Sequence, residues 1–153
     1  MQLNRWDIIN HFIKKYNYKT YLEIGYYKGW SFDQVICENK IAVDPNPCKD
    51  ESQVNMPIGG FNVLKGGIGK DNFFIDEMIC KITSNEYFEQ LSKLKDSLKF
   101  DLIFIDGLHE SEQVYRDYKN ARKHLSKNGI IIFHDCNPPL YHYTIYPLMI
   151  IYS

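Results

Sequence analysis

The first hydrophobic period along the chain is helical. Leu3, Trp6, Ile9, Ile13 and Tyr16 recur at three- and four-residue spacing between residues 3 and 16, which places them on one face of an amphipathic helix. "TYLEIG" at 20–25 reads as a short β-rich run closed by glycine, and "GWSFDQVICEN" at 29–39 returns to helical spacing through Phe32, Val35 and Ile36. "KIAVDPNP" predicts a second strand stopped by prolines, which extend neither a ladder nor a helix interior. A third strand is expected at 78–83 ("MICKIT"), then a helix with Phe88, Leu91, Leu94 or Lys95, and Leu98 on one face. "DLIFID" at 101–106 is the fourth strand. Val114, Tyr118, Ala121 and Leu125 mark the next helix, and the glycine of "SKNG" ends it before a fifth strand, "GIIIFHD". Residues 46–77 hold no sustained period and predict a long excursion, which in a compact domain is either functional or evidence against the assignment of elements.

Strands alternating with helices imply an α/β domain with a parallel sheet covered on both faces. The continuous runs "LIFI" and "IIIF" fit central strands buried on both sides. Ligands of such sheets bind beyond the carboxyl ends of the strands, where strand order reverses. Glu23 with Gly25, Asp44, Asp106 and Asp135 all fall at or near predicted strand ends, so four polar clusters are expected on one rim.

The length of 153 residues suits a single domain spanning 1–153. A net charge of -1 gives no basic footprint, so neither nucleic acid nor an anionic membrane is an expected partner. The first residues, "MQLNRWDIIN", lack the apolar core of a signal peptide, and no run reaches the roughly 18 apolar residues of a spanning helix. Cys37, Cys48, Cys80 and Cys136 form no C-x-x-C pair and read as reduced thiols, which makes the expected location cytoplasmic.

On the rim, "EIGYYKG" presents two glycines in G-x-x-x-G spacing, not the G-x-G-x-x-G that seats a pyrophosphate. Gly25 permits a sharp turn and a close ligand approach, and Gly29 a tightly packed start to the next helix. Asp44 follows at close to the roughly 20-residue offset from which an acid receives ribose hydroxyls. A nucleoside ligand is suggested and a dinucleotide is not. The plainer reading is a glycine turn followed by an acid that caps a helix.

"YLEIGYYKGWSFDQV" resembles the first motif of class I S-adenosylmethionine-dependent methyltransferases, and "KIAVDP" their second. "FDLIFIDGLHESEQVYRDYKNARKHLSKNGIIIFHDCNP" is similar to the later half of a small bacterial-type branch with an F-I-D-G-x-H signature, and "TSNEYF" to that branch's segment after the third strand. Together these stretches cover most of residues 20–138. The resemblance implies a Rossmann-like, doubly wound, three-layer α/β/α fold and S-adenosyl-L-methionine as cofactor. It implies that Glu23 and Gly25 hold the methionine end, that Asp44 takes the ribose hydroxyls, and that Ser84 and Asn85 lie beside the adenine, with Gly29 and Asp106 completing the expected cofactor-binding set. Asn85 stands where an aspartate is usual, and its amide oxygen still accepts a hydrogen bond.

Asp106 and Asp135 end strands expected to be neighbours, about 4.8 Å apart. Carboxylates that close repel unless they share a proton or a cation. Metal-dependent O-methyltransferases of this superfamily hold Mg²⁺ with acids at matching strand ends, which implies Asp106 and Asp135 as ligands. Cys136 stands where several relatives carry an acid or amide, leaving Asn137 as the substitute ligand. His109 is the implied catalytic base, with Asp106, for a hydroxyl of a small-molecule acceptor such as a sugar. In the alternative, both aspartates accept backbone N–H bonds and His109 caps the helix that begins near Ser111. His11 and His124 read as solvated, and His134 and His142 stay open.

After Asn137-Pro138-Pro139 only "LYHYTIYPLMIIYS" remains, enough for one further strand where a complete sheet of this class has seven. The antiparallel edge is therefore expected to be truncated. The apolar residues Leu140, Ile145, Leu148, Met149, Ile150 and Ile151 suggest a homo-oligomer contact. Beside the transfer enzyme stand two other readings, a cofactor-binding module without transfer activity and another nucleotide-binding α/β domain.

Overall fold

The computed structural model describes residues 3–48, 77–94, 98–134 and the backbone of 149–152. Helix α1 (Arg5–Tyr16) starts at Asn4, whose backbone N–H donates to Asp7 Oδ2 at 2.8 Å, and stops at Asn17, a left-handed residue at φ 55°. Ile9 and Ile13 of the predicted stripe are buried and Trp6 packs against their cluster, whereas Leu3 and Tyr16 at its ends are exposed.

Among the described residues six strands follow the apolar runs: β1 (Thr20–Ile24), β2 (Asn39–Val43), β3 (Glu77–Cys80), β4 (Phe100–Ile105), β5 (Leu125–Phe133) and β6 (Met149–Tyr152). Their order is β3-β2-β1-β4-β5-β6, with every pair parallel except β5 with β6. Side chains alternate across the sheet. On one face Leu22, Ile24, Ile103, Ile105 and Ile131 pack under α2 (Ser84–Ser92) and α3 (Ser111–Lys123) through Phe88, Leu91 and Ala121. On the other Tyr21, Ala42, Leu102, Phe104 and Ile132 pack under α1 together with Phe32 and Val35. This is the expected three-layer, doubly wound Rossmann-like arrangement. α2 begins with a reciprocal cap, in which Glu86 N–H donates to Thr83 Oγ1 at 3.3 Å and Thr83 N–H to Glu86 Oε2 at 3.0 Å.

The helix expected over 29–39 is a single 3-10 turn at Phe32–Gln34. The crossover from β1 to β2 has only residues 25–38, close to the dozen that a parallel connection requires. Side chains from both flanking elements also take its backbone groups. Asn10 of α1 binds Gln34 O and Ile36 N–H at 2.9 and 2.8 Å, and Lys40 Nζ donates to Phe32 O and Val35 O at 3.0 and 3.2 Å. Phe32 and Val35 stay buried as their spacing predicts, but Ile36 points outward at 80% exposure.

Three smaller expectations also change. α2 ends at Ser92 rather than reaching Leu98. α3 ends at Lys123 because the His124 carbonyl is taken by Phe100 N–H at 2.8 Å, so Leu125 opens β5 and Gly129 lies inside that strand, beyond a bulge opposite Phe100–Leu102. His124 is not solvated. It is 3% exposed and stacks on Phe88 at 5.7 Å, and burial lowers its pKa. The apolar residues 140–148 proposed for self-association lie outside the described residues, where the one further strand, β6, follows them. Among the described residues Cys37, Cys48 and Cys80 are free thiols, and no helix is long and apolar enough to cross a membrane.

Candidate functional site

The chain winds from β1 outward to β2 and β3, then returns to place β4 on the other side of β1, so strand order reverses between β1 and β4. A cavity of about 600 Å³ opens beyond their carboxyl ends. Glu23, Gly25, Asp44, Ser84, Asn85, Asp106 and His109 all line it.

Gly25 fixes the floor. Its φ of 96° suits glycine alone, and a Cβ there would stand 2.2 Å from the Asp106 carbonyl oxygen. Gly25 N–H donates to Val43 O and Asp106 N–H to Ile24 O, both at 2.8 Å, so three strand ends are tied at one point. Gly29 differs. It does not line the cavity; its φ of 74° and the absence of a side chain make room for the Tyr26 hydroxyl, which donates to Asp33 Oδ1 at 3.0 Å.

The acids along the wall are held in different states. Glu23 is 1% exposed, and desolvation raises its pKa from 4.5 to about 8, the Asp106 charge adding to the rise. Tyr21, two residues earlier on the same face of β1, donates to Glu23 Oε2 at 2.5 Å and opposes that rise, as does Arg5. Asp44 is partly exposed and accepts Tyr27 N–H at Oδ2 and Asn46 N–H at Oδ1, each at 2.7 Å. Each of its oxygens retains a second lone pair for a ligand hydroxyl.

At the amino end of α2, Ser84 and Asn85 meet two α3 residues that sequence reading did not single out. Gln113 Nε2 donates to Asp117 Oδ1 at 3.0 Å and to Ser84 Oγ and Asn85 Oδ1 at 3.3 Å. Asp117 is 1% exposed; burial raises its pKa, while hydrogen bonds from Ser84 and Gln113 oppose the rise. Its position, in phase with Val114, Tyr118 and Ala121, was the available signal: an acid inside an apolar stripe.

Asp106 carries Arg5, which sequence reading did not single out, and His134, which it left open. Arg5 of α1 places a guanidinium N–H on Asp106 Oδ2, and His134, one residue past β5, brings Nδ1 within 3.1 Å of Asp106 Oδ1. Both carboxylate oxygens thus face groups that are cationic or become so on protonation. Asp135 and Asn137, the other implied metal ligands, lie outside the described residues. Among the described residues no group of three or more His, Cys, Asp and Glu stands together as a metal site, and Asp106, the one implied ligand among them, has its two oxygens faced by Arg5 and His134. His109 stands exposed on the cavity rim.

A family model described as "Methyltransferase domain" matches residues 22–136. An uncharacterized protein of Acanthamoeba polyphaga mimivirus is 30% identical over 122 residues, covering 76% of this chain and 51% of that protein. An O-methyltransferase from Bacillus cereus, solved in complex with SAH, is similar in fold with a TM-score of 0.56 at 15% identity, over 87% of this chain and 57% of that one. The O-methyltransferase TomG from Streptomyces achromogenes, solved with SAM, gives a TM-score of 0.58 at 10% identity, over 91% of this chain and 62% of that one. The chain therefore spans about half the length of the curated relative it matches.

Proposed function

This chain belongs to the methyltransferase-domain family, and from that premise we propose that it is an S-adenosylmethionine-dependent methyltransferase acting on a hydroxyl of a small molecule such as a sugar. The observation that carries the reading is the Gly25–Asp106 contact at the strand-order reversal, a side-chain-free floor flanked by buried Glu23 and by Asp44. A ligand is able to approach the backbone closely there, and the cavity volume suits a nucleoside cofactor with a small acceptor.

The residues present fit that cofactor. Glu23 would receive its amino group, Asp44 its ribose hydroxyls, and the Ser84–Asn85–Gln113–Asp117 cluster its adenine edge. When bound, the cofactor supplies an electrophilic methyl group on a sulfonium centre. The chain's part is orientation and proton handling. Gly25 sets the approach, Asp106 is held by Arg5 and His134, and His109 on the rim takes the acceptor's hydroxyl proton. Of the implied Mg²⁺ ligands only Asp106 is among the described residues, and Arg5 and His134 face its two oxygens.

Calorimetric titration with S-adenosylhomocysteine tests the cofactor half. Micromolar binding that Asp44→Ala weakens, followed by methyl transfer to sugar acceptors, is the expected result. Well-folded protein that binds nothing, or an Asp44→Ala variant that binds as well as the wild type, refutes it.

A further inference from the structure

The cation that the family resemblance places on Asp106 is a metal, yet the cation standing there belongs to the chain. Arg5 occupies Asp106 Oδ2 through a guanidinium N–H, with side-chain exposures of 24% for Arg5 and 13% for Asp106, and His134 Nδ1 faces Oδ1. Helix α1 fixes this contact. Ile9, one turn beyond Arg5, is fully buried and Ile13 nearly so, which anchors the helix on the sheet and leaves the guanidinium over the end of β4. Arginine stays charged at any working pH and carries five N–H donors, of which Asp106 engages one. Arg5 also lines the cavity, so its remaining donors adjoin the space where an acceptor sits.

We propose that Arg5 is the resident cation of this site, standing on Asp106 in place of a divalent metal and taking the acceptor's reacting oxygen on its remaining N–H groups. A hydroxyl held against a fixed positive charge loses its proton more readily, the same electrostatic service a metal gives, here without metal exchange. The metal-free character follows from the occupied carboxylate. The acceptor role rests on the cavity being the transfer site proposed above, and the test separates the two.

Mn²⁺, a paramagnetic substitute for Mg²⁺, is titrated into the 153-residue chain with and without S-adenosylhomocysteine and followed by electron paramagnetic resonance. Wild type is expected to show no saturable binding at micromolar Mn²⁺. Arg5→Ala, which uncovers the carboxylate, is expected to bind one Mn²⁺, and adding Asp106→Asn to lose it again; Arg5→Lys, which keeps a cation, behaves as wild type. Arg5→Gln repeats the arm should the alanine variant fail to fold. Separately, EDTA is expected to leave transfer unchanged, while Arg5→Ala lowers turnover more than it weakens S-adenosylhomocysteine binding. Saturable Mn²⁺ binding by wild type that Asp106→Asn abolishes overturns the proposal. So does a failure of the Arg5→Ala and Arg5→Gln proteins to bind, since Asp106 would then be no cation site for Arg5 to fill. Absence of S-adenosylhomocysteine binding in wild type defeats the methyltransferase reading and with it the acceptor role, and leaves the Mn²⁺ result to decide whether Arg5 fills the cation site on Asp106.

Discussion

Replacing Glu23 by Gln removes a buried ionisable group while keeping its shape and an oxygen for the Tyr21 hydroxyl, which donates to Glu23 at 2.5 Å. In the unfolded chain the carboxyl ionises near its ordinary 4.5; in the folded chain desolvation holds the proton on up to about 8. Between those values the folded state binds more protons than the unfolded one, so stability falls as pH rises through the window and is level below and above it. The slope is about 1.4 kcal/mol per pH unit, which gives about 2 kcal/mol between about pH 6 and pH 8 once the folded group begins to titrate. Urea denaturation of wild type and Glu23→Gln across that range isolates the effect. The variant should gain about 2 kcal/mol relative to wild type, a midpoint separation that grows by roughly 1 M urea. Parallel curves would show that Glu23 is already ionised at pH 6 and sink the argument. A second readout reaches the ligand. A bound ammonium favours ionised Glu23, so S-adenosylhomocysteine binding near neutrality should release a proton, visible as heats that depend on the buffer, and Glu23→Gln should release none.

Gly25→Ala should abolish S-adenosylhomocysteine binding and cost about 3 kcal/mol or more, since a Cβ at φ 96° meets backbone at 2.2 Å; calorimetry and urea melts check the two halves, and near-native behaviour in both would refute the cradle. Asp44→Ala should weaken that binding about 10- to 100-fold by removing charged acceptors, read by the same calorimetry. Lys40→Met should cost about 1–3 kcal/mol in urea denaturation, because it strips the amine from the carbonyls of Phe32 and Val35 and unpairs Glu77, which lies 3.0 Å from Nζ.

The sheet was legible because its central strands are buried on both faces and must therefore be continuous apolar runs, as "LIFI" and "IIIF" are. Asp106, the acid that follows "LIFI", was legible for the same reason: an abrupt change from apolar to acidic marks the carboxyl edge of a buried sheet. The helix over 29–39 was misread because Phe32 and Val35 obey helical spacing while Asn10 and Lys40, residues outside the segment, claim the backbone groups a helix would use. Local periodicity carries no record of such competition. Likewise α3 was drawn too long because Leu125 keeps the phase of its stripe, and only the pairing of Phe100 N–H with the His124 carbonyl shows where the chain turns into the sheet.

Two of the missed residues of the site, Arg5 and Asp117, share a physical signature. Arg5 lies one turn before Ile9 and in phase with Ile13, and Asp117 lies in phase with Val114 and Ala121, so each is a charge on the face a helix turns toward the sheet. Burying a charge there costs several kcal/mol unless a partner waits. The partners are Asp106 for Arg5 and the Ser84–Gln113 pair for Asp117, both at the carboxyl edge of the sheet. A charge in phase with an apolar stripe, at the end of a helix that reaches the rim, is therefore a site candidate on energetic grounds alone. On that criterion Arg5 and Asp117 rank beside the strand-end acids, and α1 and α3 contribute to the cavity wall as directly as the loops between strand and helix do.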